Sequence, residues 1–84
     1  MEFKKDENRI YLDDEKGKTI AEIEFEKLEE DTYNIYHTFV DKSLRGQGIA
    51  SKLVEAAVNE IRERGGNIKA TCSYAKEWIE KNKK

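Results

Sequence analysis

The sequence has no proline and only one cysteine. The single cysteine limits which covalent links and metal sites the chain can form. Cys72 cannot form a disulfide within the chain, and it cannot alone hold a structural zinc ion. No apolar run approaches the roughly 20 residues that cross a bilayer, and the N-terminal residues include no hydrophobic secretory stretch. We therefore expect a cytoplasmic protein with no metal and no membrane partner, whose stability comes from packing.

The 84 residues leave room for one small domain, which we assign to residues 1–84. Residues 1–36 carry 6 Lys and Arg against 12 Asp and Glu, and residues 37–84 carry 10 against 6, so the halves stand at −6 and +4. The acidic half repels nucleic acid, whereas the basic half favours an anion. We expect no nucleic-acid partner and a monomer or weak dimer.

Hydrophobic patterning predicts three strands, at 8–12, 19–26 and 32–40. In the second strand Ala21, Ile23 and Phe25 alternate with glutamates, which is typical of a strand with one face in water. The third strand has β-branched and aromatic residues at both parities, which predicts a central strand covered on both faces. Short polar turns join the three strands, so they should run antiparallel.

Apolar residues then recur at helical spacing from Ala50 to Ile61, which predicts an amphipathic helix that ends at Gly65 and Gly66. Residues 67–72 have the pattern of another strand, and residues 73–82 that of a terminal helix. A strand, a helix and a strand in this order form a βαβ unit with parallel strands. The predicted fold class is α+β, with three antiparallel strands followed by a βαβ unit that gives a mixed sheet.

The most informative segment lies between the third strand and the long helix, and it reads Arg45-Gly46-Gln47-Gly48-Ile49-Ala50. N–H groups at a helix start have no intrahelical partner, and the helix dipole adds partial positive charge, so phosphate is the natural guest. Gly46 and Gly48 allow positive φ and close approach of an anion, and Arg45 supplies a charged fork. A turn that merely starts the helix is the alternative.

Two common phosphate motifs fit this loop badly. A P-loop requires Lys and then Ser or Thr after its last glycine, but Gly48 is followed by Ile49 and Ala50. The dinucleotide fingerprint requires a third glycine where this chain has Ser51. Both motifs are rejected.

The pattern Arg/Gln-x-x-Gly-x-Gly/Ala does fit, since Arg45, Gly48 and Ala50 satisfy it between a strand and a helix. With residues 37–41 and 71–75, the chain resembles the GNAT superfamily of acyl-CoA-dependent N-acetyltransferases, in a minimal single-domain form. The resemblance implies acetyl-CoA as co-substrate and an unidentified amine as acceptor. It also implies which residues hold the coenzyme: the strand edge at Phe39 and Val40 for the pantetheine, and for the pyrophosphate Arg45, Gly46, Gln47, Gly48, Ile49 and Ala50.

Three residues are candidates for catalysis. His37 is the sole histidine and has the intrinsic pKa of a base, although it could instead be hydrogen-bonded within the sheet. Cys72 ends the predicted last strand, where a thioester should lie, and could accept the acetyl group; a buried core thiol is the alternative. Tyr74 could protonate the departing CoA, or simply pack half-buried.

The resemblance also exposes a departure from the family. Many members carry Asn-x-x-Ala-x-x-x-Tyr here, and aligning Ala75 with that Ala places Cys72 at the Asn and Ile79 at the Tyr, so the usual general acid is absent. A non-catalytic acyl-CoA-binding or sensing module is therefore the alternative function. A third possibility is a protein-interaction module, in which the acidic strand face at Glu22, Glu24 and Glu26 docks a basic partner rather than remaining solvated.

Overall fold

A computed structural model of the chain describes residues 2–82 and contains one five-stranded sheet and two α-helices. In chain order the elements are β1 (Lys4–Asp6), β2 (Arg9–Asp13), β3 (Thr19–Glu29), β4 (Thr32–Val40), a 3₁₀ turn (Lys42–Leu44), α1 (Ile49–Glu63), β5 (Asn67–Ala70) and α2 (Ser73–Lys81). In the described part of the chain no helix is long and apolar enough to cross a membrane.

The strands lie in the sheet in sequence order, from β1 to β5. Neighbours from β1 to β4 are antiparallel, and β5 runs parallel to β4. The α+β prediction with a terminal βαβ unit is confirmed. The sequence pattern did not predict β1, because its three residues are all exposed and show no apolar alternation.

One face of the sheet packs against α1 to form the core. Inward-facing residues of β2 and β3 meet the apolar stripe of the helix, and burying each large aliphatic or aromatic side chain is worth about 1.5–3 kcal/mol. The side chains that are entirely or almost entirely buried are Ile10, Ile23, Phe25, Ile35, Leu53, Val54 and Ile61. The glutamates of β3 lie on the opposite face, as their alternation with Ala21, Ile23 and Phe25 predicted.

The pairing and the burial of β4 change at Tyr36. Phe25 of β3 lies opposite Ile35, and Glu24 lies opposite His37, so Tyr36 is the extra residue of a β-bulge. Tyr33 and Ile35 are buried, whereas Tyr36 is 44% exposed. The prediction that this strand is covered on both faces is therefore wrong for its second half, because the bulge and the end of β5 leave that half open.

β5 is shorter than predicted and ends at Ala70. The Ile35 carbonyl accepts hydrogen bonds from two successive N–H groups, those of Thr71 at 3.1 Å and Cys72 at 3.2 Å. The ladder ends after this doubled contact, and the chain turns away from β4 into α2. Cys72 is thus the N-cap residue of α2 rather than the last residue of a strand.

The turn between α1 and β5 depends on the glycine at position 66. A Cβ added there would lie 2.6 Å from Cδ1 of Tyr33 and 3.0 Å from Cγ2 of Ile61. The chain therefore passes directly against the Tyr33 ring as it enters β5. This close approach fixes the start of β5, where the N–H of Asn67 donates to the carbonyl of Asp31.

Candidate functional site

The loop from β4 to α1 is shaped by one carboxylate and two glycines. The side chain of Asp41 accepts hydrogen bonds from the Ser43 N–H at 3.0 Å and the Ser43 hydroxyl at 2.7 Å, and it caps the 3₁₀ turn. These hydrogen bonds hold the pKa of the Asp41 carboxyl below its ordinary value. Gly46 and Gly48 have φ of +83° and +69°, a conformation that residues with a Cβ rarely adopt.

The start of α1 leaves several backbone donors unused. Gly48 is the N-cap residue and has no side chain to cap the helix, and the first N–H that returns to it is that of Lys52, at 3.1 Å. Within residues 2–82, the structure shows no acceptor for five N–H groups in and just before the first turn of α1, those of Gly46, Gly48, Ile49, Ala50 and Ser51. Unpaired amides at a helix start, where the dipole is positive, form an anion-binding site.

The charged and polar side chains of the loop face solvent. Arg45 and Gln47 are both exposed, and Arg45 forms no ion pair with any residue from 2 to 82. A free guanidinium can bind two oxygens of a phosphate at once. The donor set of the loop therefore fits the diphosphate of a nucleotide in charge and in hydrogen-bonding capacity.

A gap opens beside the second half of β4. β5 pairs with β4 only from Thr32 to Ile35, so in the described chain residues 36–40 have no strand neighbour on that side. Phe39 is 40% exposed, and Val40 is half-buried against the core. The two parallel strands do not splay apart as predicted, because β5 is paired with β4 along all four of its residues; the open edge of β4 begins beyond Ile35, where β5 ends.

Cys72 lies in this gap. Its sulfur is 3.4 Å from the hydroxyl oxygen of Thr38, which lies on the second half of β4. The backbone N–H groups of Thr38, Tyr74 and Ala75 favour the ionised form of the thiol, although the Cys72 side chain makes no capping hydrogen bond to α2. The thiol is half-buried and connects the open edge of β4 with the start of α2.

These contacts decide the ionisation of the thiol. Burial raises the pKa of Cys72, but the hydrogen bonds from the Thr38 hydroxyl and from the three N–H groups outweigh burial, so the pKa of the thiol lies below its ordinary value. A thiolate at a helix start is also stabilised by the dipole. The thiolate fraction of Cys72 is therefore larger than that of an ordinary cysteine at the same pH.

His37 lies on the other face of the sheet. Its partner on β3 is Glu24, and its Nε2 is 3.5 Å from a carboxylate oxygen of Glu22. The other oxygen of Glu22 accepts from Nε of Arg9 at 2.8 Å, which fixes the carboxylate in place. The imidazole therefore has an orienting carboxylate, which the sequence alone did not reveal.

The structure does not bring all the predicted residues together. Thr38 lies opposite Ile23 of β3 and shares the core face, whereas His37 and Phe39 lie opposite glutamates and share the outer face. Cys72 and His37 are thus separated by β4. Tyr74 is 41% exposed on α2, and its contact with the Cys72 sulfur is through its backbone N–H.

Two side-chain contacts at the site could not be predicted from the sequence. Thr38 lies in the segment 37–41, which supports the family resemblance. The alternation of side chains along the strand does not predict that Thr38 contacts Cys72, because the bulge at Tyr36 reverses which face of the sheet the following side chains occupy. The indole Nε1 of Trp78 donates to the Ser51 hydroxyl at 2.8 Å and fastens α2 to the first turn of α1. Neither Thr38 nor Trp78 differs in the sequence from an ordinary core residue, so no sequence pattern predicts these contacts.

Comparison with known proteins places this geometry in a family. The sequence model of the GCN5-related N-acetyl-transferase family matches residues 9–84. Among curated proteins, Protein NATD1 of Xenopus tropicalis is 31% identical over 58 residues, which cover 69% of this chain and 53% of the relative. This chain thus spans about half the length of the curated relative that it matches.

Solved structures agree with this result. The solution NMR structure of a GCN5-like candidate N-acetyltransferase from Staphylococcus aureus is 40% identical, with a TM-score of 0.78 over 95% of this chain and 78% of that one. An aminoglycoside 6'-N-acetyltransferase complexed with coenzyme A shares the fold, with a TM-score of 0.60 over 73% of this chain and 35% of that one, at 22% identity. The chain belongs to the GCN5-related N-acetyltransferase family.

Proposed function

We propose that the protein binds acetyl-CoA and transfers its acetyl group to an amine. The observation that carries this proposal is the row of unpaired N–H groups at the start of α1, which lies beside the open edge of β4. A diphosphate bound at these groups would direct the rest of the coenzyme into the gap. The solved relative with coenzyme A bound supports the choice of ligand through its fold alone.

The loop from Arg45 to Ala50 binds the diphosphate in this proposal. The amides of Gly46 to Ala50 donate to the phosphate oxygens, and Arg45 adds a bidentate contact. A ligand bound at about 10 μM requires about 7 kcal/mol. Charge-assisted hydrogen bonds contribute roughly 1.5–3 kcal/mol each, so three or four of them are sufficient.

The pantetheine arm then lies along the second half of β4. Its amide groups occupy the place that β5 leaves vacant beyond Ile35, next to Phe39 and Val40. The backbone of β4 supplies the hydrogen bonds that a neighbouring strand would otherwise make. The thioester is thereby brought close to Cys72, which lies at the closed end of the gap.

Cys72 is the proposed acyl acceptor. Its sulfur attacks the thioester carbonyl, the new sulfur–carbon bond forms, and the bond between that carbon and the CoA sulfur breaks, so that CoA leaves as a thiolate and is protonated. The Thr38 hydroxyl and the N–H groups of Ala75, Tyr74 and Thr38 lower the pKa of the attacking thiol and so increase its thiolate fraction. The acceptor amine completes the reaction by attacking the acetyl-cysteine and restoring the free thiol.

His37, the candidate base from the sequence, lies with Glu22 on the outer face and is separated from Cys72 by β4, so the acceptor amine must reach the acetyl-cysteine already neutral. A lysine amine must lose its proton at a cost of roughly 4.6 kcal/mol at neutral pH, whereas an α-amino group costs only about 1–1.4 kcal/mol. A sulfur with no base beside it therefore favours acceptors of lower pKa, such as α-amino groups. Tyr74 is the proposed source of the proton for the departing CoA.

Isothermal titration calorimetry with acetyl-CoA tests the binding step. We expect Arg45→Ala to weaken binding about tenfold, since one charge-assisted contact is lost. Lys16→Ala is the matched control, because Lys16 is an exposed cation in the turn between β2 and β3. Equal affinity of the wild type and Arg45→Ala, or no heat of binding at all, would contradict the proposal.

A second candidate function is an acyl-CoA-binding module without catalysis. It is favoured by Ile79, which stands where the family has its general-acid tyrosine, and by the exposed position of Tyr74. Release of free CoA thiol in the presence of a panel of amines separates the two. Turnover by the wild type that disappears in Cys72→Ser, after the background rate with denatured protein is subtracted, would support the enzyme, and binding without turnover would support the module.

A further inference from the structure

A cavity in the described chain lies away from the phosphate loop. It has a volume of about 960 Å³ and is bounded by the C-terminal half of α1, by β5 and by α2. Trp78 of α2, which lines this cavity, donates a hydrogen bond to Ser51 in the first turn of α1. We call the cavity the β5 groove.

The floor of the β5 groove is an unpaired strand edge. The N–H of Asn67 donates to Asp31, and that of Thr71 donates to Ile35, so both point toward β4. Peptide groups alternate in direction along a strand, and those of Ile68 and Ala70 therefore point away from β4 into the groove. Within residues 2–82 they have no hydrogen-bonding partner.

Apolar side chains surround this edge. Trp78 and Ile79 of α2 are only half-buried, and with Ile68 and Ala70 they form the margin of the core where it meets the groove. A strand edge that combines free peptide groups with apolar neighbours is suited to pair with another strand. The groove is thus a docking site for an extended segment.

We propose that the groove is occupied by β5 of a second copy of the chain, paired antiparallel across a two-fold axis. In this register Ile68 lies opposite the partner subunit's Ile68, and Lys69 lies opposite the partner subunit's Asn67, so that the two lysines do not face each other. The two sheets become one continuous sheet of ten strands. This inference goes beyond the proposed function and does not depend on it.

The charges around the groove favour a second copy over a foreign strand. Both signs are present, and none of these residues forms an ion pair with the residues from 2 to 82: Glu55, Arg62, Lys69, Lys76 and Glu80. A two-fold axis brings the same mixed set against itself, so each charge can find an opposite one. A strand of uniformly acidic or basic character would instead meet repulsion along part of the rim.

Closure gives a second reason. The only other sheet edge of the described chain is β1, and pairing β5 with β1 of the next molecule would leave a free β5 at every step. Such a contact produces open filaments, whereas a two-fold contact closes after two copies. The formal net charge of −2 is too small to keep the copies apart.

Sedimentation equilibrium of the full chain, from micromolar to near-millimolar concentration, tests the dimer. We expect the average mass to rise from monomer to dimer. Ala70→Pro removes the N–H that faces the groove and no hydrogen bond to β4, so it should weaken dimerisation at least tenfold. Ala70→Val keeps that N–H at a similar side-chain volume and serves as the control.

Amide hydrogen exchange provides a readout that needs no variant. The N–H groups of Ile68 and Ala70 should become protected as the protein concentration rises, while those of β1 should not change. Ile79→Glu, which places a charge at the groove and leaves the strand ladder intact, supplies a second variant should Ala70→Pro unfold. A monomer at every concentration with freely exchanging Ile68 and Ala70 amides overturns the proposal, as does a dimer that neither variant weakens.

Discussion

The two helices of the protein begin in opposite ways. α1 begins at a glycine with no side chain, whereas α2 begins at Cys72, whose thiol has a pKa lowered in part by the N–H groups of Tyr74 and Ala75 although it makes no capping hydrogen bond. The first helix start is therefore available to an external anion, and the second stabilises a charge on the protein itself. Helix starts of the same polarity can thus supply either a binding site or a nucleophile.

The first prediction tests the start of α1 by placing a negative charge there. Gly48→Glu should weaken acetyl-CoA binding about 30-fold, which corresponds to about 2 kcal/mol, because a carboxylate takes the positive end of the helix and the backbone is strained at positive φ. Titration calorimetry measures this loss.

Gly65→Glu is the matched control for that change. Gly65 has φ of +76° at the other end of the same helix, and, as at Gly48, a Cβ there meets nothing within 4 Å. It should lose similar stability in urea denaturation but keep its affinity for acetyl-CoA. Equal loss of affinity in both variants would show that backbone strain, rather than the anion site, controls binding.

The second prediction concerns the occupied helix start. Thr38→Val removes the hydroxyl next to the Cys72 sulfur, so the pKa of the thiol should rise and its alkylation by iodoacetamide at neutral pH should slow several-fold. A profile of the alkylation rate against pH checks this, with Thr71→Val as the control. An unchanged midpoint would mean that the N–H groups alone stabilise the thiolate.

The sign of the linked stability follows from the same shift. The folded thiol has a lower pKa than the unfolded one, so the folded state gains stability as the pH rises through the folded pKa of Cys72 and keeps that gain above the unfolded pKa. Cys72→Ser should remove this gain on the alkaline side. Urea denaturation midpoints on either side of neutrality measure it.

The contact between α2 and the start of α1 gives a smaller effect. Ser51→Ala removes the acceptor of the Trp78 indole N–H and should lower the free energy of unfolding by about 1 kcal/mol. Loss of the hydrogen bond should also change the Trp78 fluorescence. Ser73→Ala, at an exposed position of α2, is the control. An unchanged stability would show that packing alone fixes α2.

The smallest effect is expected at Asp41. Because its pKa is lowered in the folded state by the hydrogen bonds from Ser43, it contributes stability above its unfolded pKa, and this contribution is lost as the pH falls through its folded pKa. Asp41→Asn should remove the acid titration of the Ser43 amide in NMR spectra. A Ser43 amide that still titrates would indicate that another carboxyl acts on the loop.

Much of this architecture could be predicted from the sequence. The spacing of apolar residues from Ala50 to Ile61 and the alternation from Ala21 to Phe25 reflect burial on one face, which sequence periodicity records directly. The conformation of the loop glycines could also be predicted, since Gly46 and Gly48 both adopt positive φ, which glycine allows.

The rest depended on contacts between distant residues. β1 has no apolar pattern because it pairs at the rim of the sheet and buries nothing. The doubled hydrogen bond at Ile35, which ends β5 early, is a matter of backbone direction that side chains do not report. The Glu22–His37 pair joins two strands and the Thr38–Cys72 contact joins β4 to the start of α2, so local spacing in the sequence cannot predict either of them.

The bulge at Tyr36 has a consequence for how this protein can vary. One supernumerary residue divides β4 into two segments with opposite inside–outside phase, so Thr38 meets the sulfur and His37 meets the glutamates. Removing that residue would exchange the surroundings of the two side chains while leaving every one of them present. Deletion of a single residue from this strand should therefore harm the proposed reaction more than most substitutions do. Sequences that share this reaction should also share the length of the strand.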